Sequence, residues 1–230
     1  MVGVIVNSIA IIVGSAIGLL FKGGIPQRVH ETLMNGIGLC VLYLGVDGAL
    51  ANENIMMLLI SIGLGGFIGS WIDIDRWVIK TVNQLEARFV PKRDKNGPSL
   101  SQGFIAASML LCIGSMVIVG SLESGLNGDH TTLYTKSVLD FVTALLLSSS
   151  LGIGVMLSSI SILIVQGSLT LSAQLAAPIL TPAVITDVIS IGSVILIGLS
   201  LNVLEITDIK LMNLMPAIFV PVIFMLITMI

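Results

Sequence analysis

The chain has 230 residues, 55% of them hydrophobic and 10% charged, with a mean hydropathy of +1.09. An ordinary soluble domain carries about 25% charged residues, so a water-soluble globule is excluded and a bilayer is the expected solvent. Ten basic against thirteen acidic residues leave a net charge of −3, which offers no basic excess for nucleic acid, and no nucleic-acid partner is expected.

At about 20 apolar residues per span the length holds about seven to eight crossings and leaves no room for a separate soluble domain. The expected architecture is one all-α polytopic transmembrane bundle over residues 1–230. The opening run MVGVIVNSIAIIVGSAIGLLF lacks a basic n-region and a small-residue cleavage site, and it reads as a retained span. Further apolar runs cover Leu33 to Leu50, Ile55 to Ile79, Phe104 to Leu122, Val138 to Leu157, Ala183 to Leu204 and Leu211 to Met229, making seven spans in all. From Arg76 to Arg88 the third span is expected to continue as an amphipathic cytoplasmic helix, so that 80–100 forms a cytoplasmic helical extension and a loop turning at Asn96-Gly97.

Ser158 to Thr181 is apolar enough to enter the membrane, but Gln166-Gly167 interrupts it and Pro178 and Pro182 end it. It is expected to be a broken, re-entrant segment that turns near Gln166. Eight of the ten basic residues fall after the first span (Lys22, Arg28) and after the third (Arg76, Lys80, Arg88, Lys92, Arg93, Lys95). The positive-inside rule places both groups in the cytoplasm. The N-terminus is then outside the bacterial inner membrane and, with a re-entrant hairpin, the C-terminus is inside.

The segments GSAIG, GGFIG and SLGIG share a small residue followed three places later by Ile-Gly, and IGLCVLYLG, IGSMVIVG and IGSVILIG follow them in turn. This pattern suggests three parallel copies of a two-helix unit. Gly14, Gly18, Gly65, Gly69 and Gly154 mark small-residue faces on the odd-numbered spans, which are expected to pack together at the centre.

Carboxylates inside a span cost about 2.5 to 3.5 kcal/mol on insertion scales, so they face protein or water and are functional candidates. Asp140 and Asp187 qualify, and the expected topology sets one toward each mouth of a pathway. Lys136, four residues before Asp140, offers the alternative of an interfacial ion pair. Asn7, Gln166, Asn202 and Asn213 add amides at membrane depth, able either to bond across helices or to coordinate a cation or solute through oxygen. Gln166, at the expected turn, is the midplane candidate, and Asn7 and Asn213 complete the pathway set.

No metal-ligand spacing, nucleophile elbow or Gly-rich phosphate loop is present in the sequence, and no cofactor is expected. Cys40 and Cys112 stand in apolar runs as small hydrophobes. The readings in order are a transporter or channel for a small cation or polar solute, a lipid-modifying enzyme using Asp129 and His130 as an acid–base pair, and a non-transporting scaffold. The expected partners are membrane lipid, the transported ion or solute, and a second copy of the chain in a homo-oligomer, most simply a dimer through the last span.

The glycine-rich first span, Gly128-Asp129, KSVLDF from Lys136, SLGIGV from Ser150, Gln166 and NLMPA from Asn213 together resemble the YqgA/YdfK-like family of bacterial inner-membrane proteins, a domain-of-unknown-function family. The resemblance runs over nearly the whole chain. It implies a multi-span membrane protein and supplies no catalytic residues.

Overall fold

The computed structural model describes residues 1–22, 27–51, 54–89 and 99–228. Lys92, Arg93, Lys95 and the Asn96-Gly97 turn lie outside them. The described residues form α1 (Val2–Lys22), α2 (Gln27–Leu50), α3 (Ile55–Ile72), α4 (Ile74–Phe89), α5 (Leu100–Cys112), α6 (Ser115–Leu126), α7 (Thr131–Leu151), α8 (Gly154–Leu171), α9 (Ala173–Ala176) and α10 (Pro182–Val203). A 3-10 helix, Leu211–Phe219, then runs into α11 (Val220–Thr228). Among the described residues, five helical stretches are long and apolar enough to cross a membrane, and six if the bent pair α5–α6 counts as one span.

Local chemistry sets the boundaries. Asn54 accepts the Met57 N–H at the start of α3, Ser99 and Gln102 close a capping box on α5, and Thr181 with Pro182 opens α10. Asp73 takes a left-handed conformation, φ 54°, so α3 and α4 are two helices rather than the single extended one expected. Trp71 and Trp77, both well exposed, flank that break.

Close glycine contacts fix how the helices run. Along α1, Gly3 meets Leu133, Gly14 meets the Phe141 backbone and Gly18 meets Leu145 and Ser148, so α1 and α7 lie parallel. Gly154 meets Leu100 and Phe104, Ser108 bonds Ser161 at 2.9 Å, and Gly125 meets Thr170, so α5–α6 and α8 are parallel too. In contrast, Gly38 meets Leu204 while Gly48 meets Ser193, which makes α10 antiparallel to α2. Gly65 against Ala217 and Gly69 against Asn213 make the 3-10 helix antiparallel to α3.

Three expectations are corrected by this register. The segment after Ser158 does not turn at Gln166-Gly167: both residues are buried inside the uninterrupted helix α8. The backbone breaks instead at Gly152 (φ 78°), between α7 and α8, and at Gly114 (φ 145°), where α5 and α6 meet at 62°. Both glycines take φ values that L-residues avoid. Second, a parallel threefold repeat needs α10 to run with α2, and it runs against it. The shared Ile-Gly motifs serve different neighbours: Gly38 and Gly45 of α2 face α10, whereas Gly192 and Gly198 of α10 face Ile113 and Leu211. Third, the small-residue spans do not all meet at a common centre: the first and fifth do pack, α1 on α7, but α3 lies on the 3-10 helix and Gly154 on α5.

One cavity ties the passes to a common end. It is lined by Glu31 on α2, Asp75 on α4, Ser99 before α5, Leu151 at the close of α7 and Asn202 on α10. The C-terminal ends of α3, α7 and α10 therefore gather at the end where α2, α5 and the 3-10 helix begin. Consequently the N-terminus of α1 and the outgoing end of α11 lie together at the opposite end, where the expected topology had separated them. The loop Glu205, Asp208 and Lys210 sits at the cavity end instead.

Candidate functional site

Three helices bring polar side chains to one buried place. On α7, Lys136 and Asp140 are one turn apart, and the lysine Nζ donates to both carboxylate oxygens, at 2.7 and 2.8 Å. From α1, the Asn7 Nδ2 donates to Asp140 Oδ2 at 2.9 Å and to Gln166 Oε1 of α8 at 3.2 Å. Asn7 and Gln166 are fully buried, Asp140 is 4% exposed and Lys136 7%. Asp140 lies nine residues into α7, about 14 Å from its start at 1.5 Å per residue, well within the apolar layer.

Such a group is costly unless every charge is met, and here the carboxylate is matched by one ammonium and one amide. Two atoms remain without partners among the described residues, Asn7 Oδ1 and Gln166 Nε2. Ser121 Oγ and Thr170 Oγ1 are unpartnered as well. Thr170 stands one turn beyond Gln166 on α8. Gly125 of α6 meets Thr170, so with parallel helices Ser121, one turn earlier, stands at the level of Gln166. Unpartnered buried polar atoms cost about 1 to 3 kcal/mol each, a sign of a place built for something besides packing.

Below this cluster α7 continues through Ala144 and Leu147, which with Ile162 and Ile195 form a fully or nearly fully buried apolar layer. Beyond it lies the cavity, about 1350 Å³, which reaches inward to Ala106, Leu151 and Leu199. Asp140 and Leu151 are separated by about 16 Å along α7.

The other sequence candidates lie elsewhere. Asp187, on α10, is half-buried and joins neither the cluster nor the cavity lining. Because α10 begins at the end where α7 begins, both acids sit toward the same mouth rather than opposite ones. Asn213 accepts the Asp75 backbone N–H at 2.8 Å and clamps the 3-10 helix to α4. Asn202 braces the following loop, accepting from Ile209 N–H and Thr207 Oγ1 while donating to the Ile209 carbonyl. Asp75 borders the cavity, and burial raises its carboxyl above the ordinary range against the lowering pull of the Met212 backbone N–H and Lys210. Asp129 and His130 are each engaged locally, the acid by the Thr131 backbone N–H and the ring Nδ1 with Ser124 Oγ, both at 2.9 Å. Among the described residues no group of three His, Cys, Asp or Glu is placed to hold a metal.

The family model described as "Protein of unknown function (DUF554)" matches residues 2–226. The chain belongs to this family. It is 30% identical over 225 residues to the uncharacterized membrane protein YdfK of Bacillus subtilis (strain 168), covering 96% of this chain and 94% of that one. It is 29% identical over 218 residues to the uncharacterized protein YqgA of Escherichia coli (strain K12), with 94% and 93% covered. No solved structure matches. The DUF554 chain is thus an all-helical membrane protein, and its functional reading rests on its own cluster and cavity.

Proposed function

We propose that this protein moves a small cation across the bacterial cytoplasmic membrane, using Asp140 as its intramembrane carboxylate and the cavity as an inward-facing vestibule. The carrying observation is the fully enclosed Asn7–Asp140–Lys136–Gln166 network, which spends charge and hydrogen bonds inside the apolar layer where a purely structural bundle gains more from packing. The apolar layer of Ala144, Leu147, Ile162 and Ile195 then serves as the closed gate between site and vestibule. Exposed Arg28, Arg76 and Lys80 gather at the vestibule end, so the positive-inside rule turns that end to the cytoplasm and leaves both chain termini outside.

Flux into proteoliposomes across a panel of monovalent cations tests this reading. Asp140→Asn is expected to abolish uptake while Asp187→Asn retains it. Absence of flux for every cation, or equal flux through wild type and Asp140→Asn, would falsify the proposal.

A further inference from the structure

Resting on that reading, we infer that Asp140 and Asn7 form a binding site for a primary ammonium group, ammonium ion or amine, and that Lys136 occupies it as a tethered stand-in. The lysine Nζ is itself a primary ammonium, and it meets both oxygens of Asp140 at 2.7 and 2.8 Å in a place only 4 to 7% exposed. A primary ammonium group brings three N–H donors and the ammonium ion four. Lys136 uses only the two oxygens of Asp140; the Asn7 amide that grips Oδ2 carries a further oxygen, Oδ1, which is buried and which the tethered lysine does not meet. A free ammonium, not held by a stem to α7, has a donor to spare for that oxygen while it bonds the carboxylate.

These oxygens do not suit a hard divalent cation, which takes six or more oxygens, and among the described residues no three His, Cys, Asp or Glu side chains gather to hold a metal. A guanidinium is planar and presents its donors as a fork, whereas the observed occupant is a compact point charge on a flexible stem. That stem is four residues from Asp140 on the same face of α7, so the lysine is able to leave and return without unwinding the helix. A transported ammonium would compete with Lys136 for the carboxylate, and the displaced lysine would swing aside on its stem with its proton retained. Wild-type affinity is therefore set low by an internal competitor.

Thermal unfolding of detergent-purified full-length protein reads the competition directly, without requiring transport. Wild type, Lys136→Ala and Lys136→Ala/Asp140→Asn are each titrated with ammonium chloride and methylammonium chloride against sodium chloride at equal ionic strength. Lys136→Ala is expected to gain a saturable stabilisation of about 4 °C at ten times the dissociation constant, with little or no gain in wild type and none in the double variant. If Lys136→Ala is not recovered folded, ammonium or methylammonium present during extraction is expected to restore the folded yield where sodium does not. Equal effects of the amine and sodium salts, a gain that persists in the double variant, or failure of the amines to rescue folding overturns the inference. Cation flux with no amine effect on Lys136→Ala sinks this inference alone. An amine effect without any flux keeps the site and sinks the transport reading.

Discussion

The side-chain Oδ1 of Asn213 accepts the backbone N–H of Asp75 at 2.8 Å, across 138 positions of sequence. This bond secures the first turn of α4, whose leading N–H groups have no partner within the helix, to the start of the chain's last pass. Asn213 is 5% exposed and its carbonyl faces Gly69. Asn213→Ala removes the acceptor and leaves a partly buried N–H unmet, at an expected cost of about 1 to 3 kcal/mol. Denaturant or thermal unfolding of the variant in detergent measures it, and an unchanged midpoint refutes the clamp.

Glycine contacts divide sharply between packed and open positions. A Cβ at Gly14 falls on the Phe141 carbonyl, whereas one at Gly63 meets nothing within 4 Å. Gly14→Ala is expected to push α1 off α7 and destabilise by about 1 to 3 kcal/mol. In an exposed helix interior the Gly63→Ala change is expected to be neutral or slightly stabilising. Side-by-side melting curves decide it, and equal behaviour of the two variants counts against the parallel α1–α7 contact.

Removing either partner of the buried ion pair strands the other. Asp140→Leu and Lys136→Met are each expected to cost about 3 to 5 kcal/mol, and the double variant distinctly less than their sum. A double-mutant cycle on unfolding free energies gives the coupling. Strict additivity would show that the two charges are independently solvated.

Asp129 titrates outside the bundle, and the Thr131 backbone N–H that it accepts, with a side-chain bond to the same residue, lowers its carboxyl below the ordinary range. A carboxylate lowered in the folded state contributes stability above its unfolded pKa of about 3.9, and that contribution is lost as pH falls through the lower folded value. Between pH 5 and pH 3 the wild-type melting temperature is expected to fall slightly further than that of Asp129→Asn, which keeps the acceptor and cannot titrate. Parallel pH profiles for the two proteins exclude the bond as a contributor.

The register sets Asp208 and Thr228 at opposite ends of the bundle, and the proposed orientation turns Thr228 outward. Single cysteines at Asp208 and Thr228, in a background without Cys40 and Cys112, are expected to react oppositely with an impermeant maleimide on intact cells: Thr228 labelled, Asp208 protected. Labelling or protection at both positions overturns the last pass as a single crossing, and the reverse pattern overturns the outward placement of the termini.

Asn7, Asp140 and Gln166 were legible because a polar side chain in an apolar run demands a partner, and the three demands proved mutual. Lys136 was legible as a partner of Asp140 but not as buried, since helix spacing gives the pair and says nothing of which neighbour covers it. Gln166-Gly167 looked like a break because amide and glycine both weaken a helix. In place, Asn7 of α1 supplies the amide's bond, so Gln166 does not compete with the backbone and the ladder continues. Gly114 carried the weaker signal and the real bend. Direction was the least legible property, for the faces of α2 and α10 carry similar glycine spacings whichever way the helices run.

The Asn7 amide meets its carboxylate 133 positions downstream, a distance with a meaning in time. At about 5 to 20 residues per second of synthesis, α1 reaches the membrane on the order of ten seconds before α7 exists. During that interval an amide destined for full burial faces lipid or a provisional neighbour, and the glycine face of α1 has nothing to close upon. The first helix made is thus among the last to be docked. Insertion of this chain requires something to hold α1 in waiting, whether the insertion machinery or an early, exchangeable partner helix.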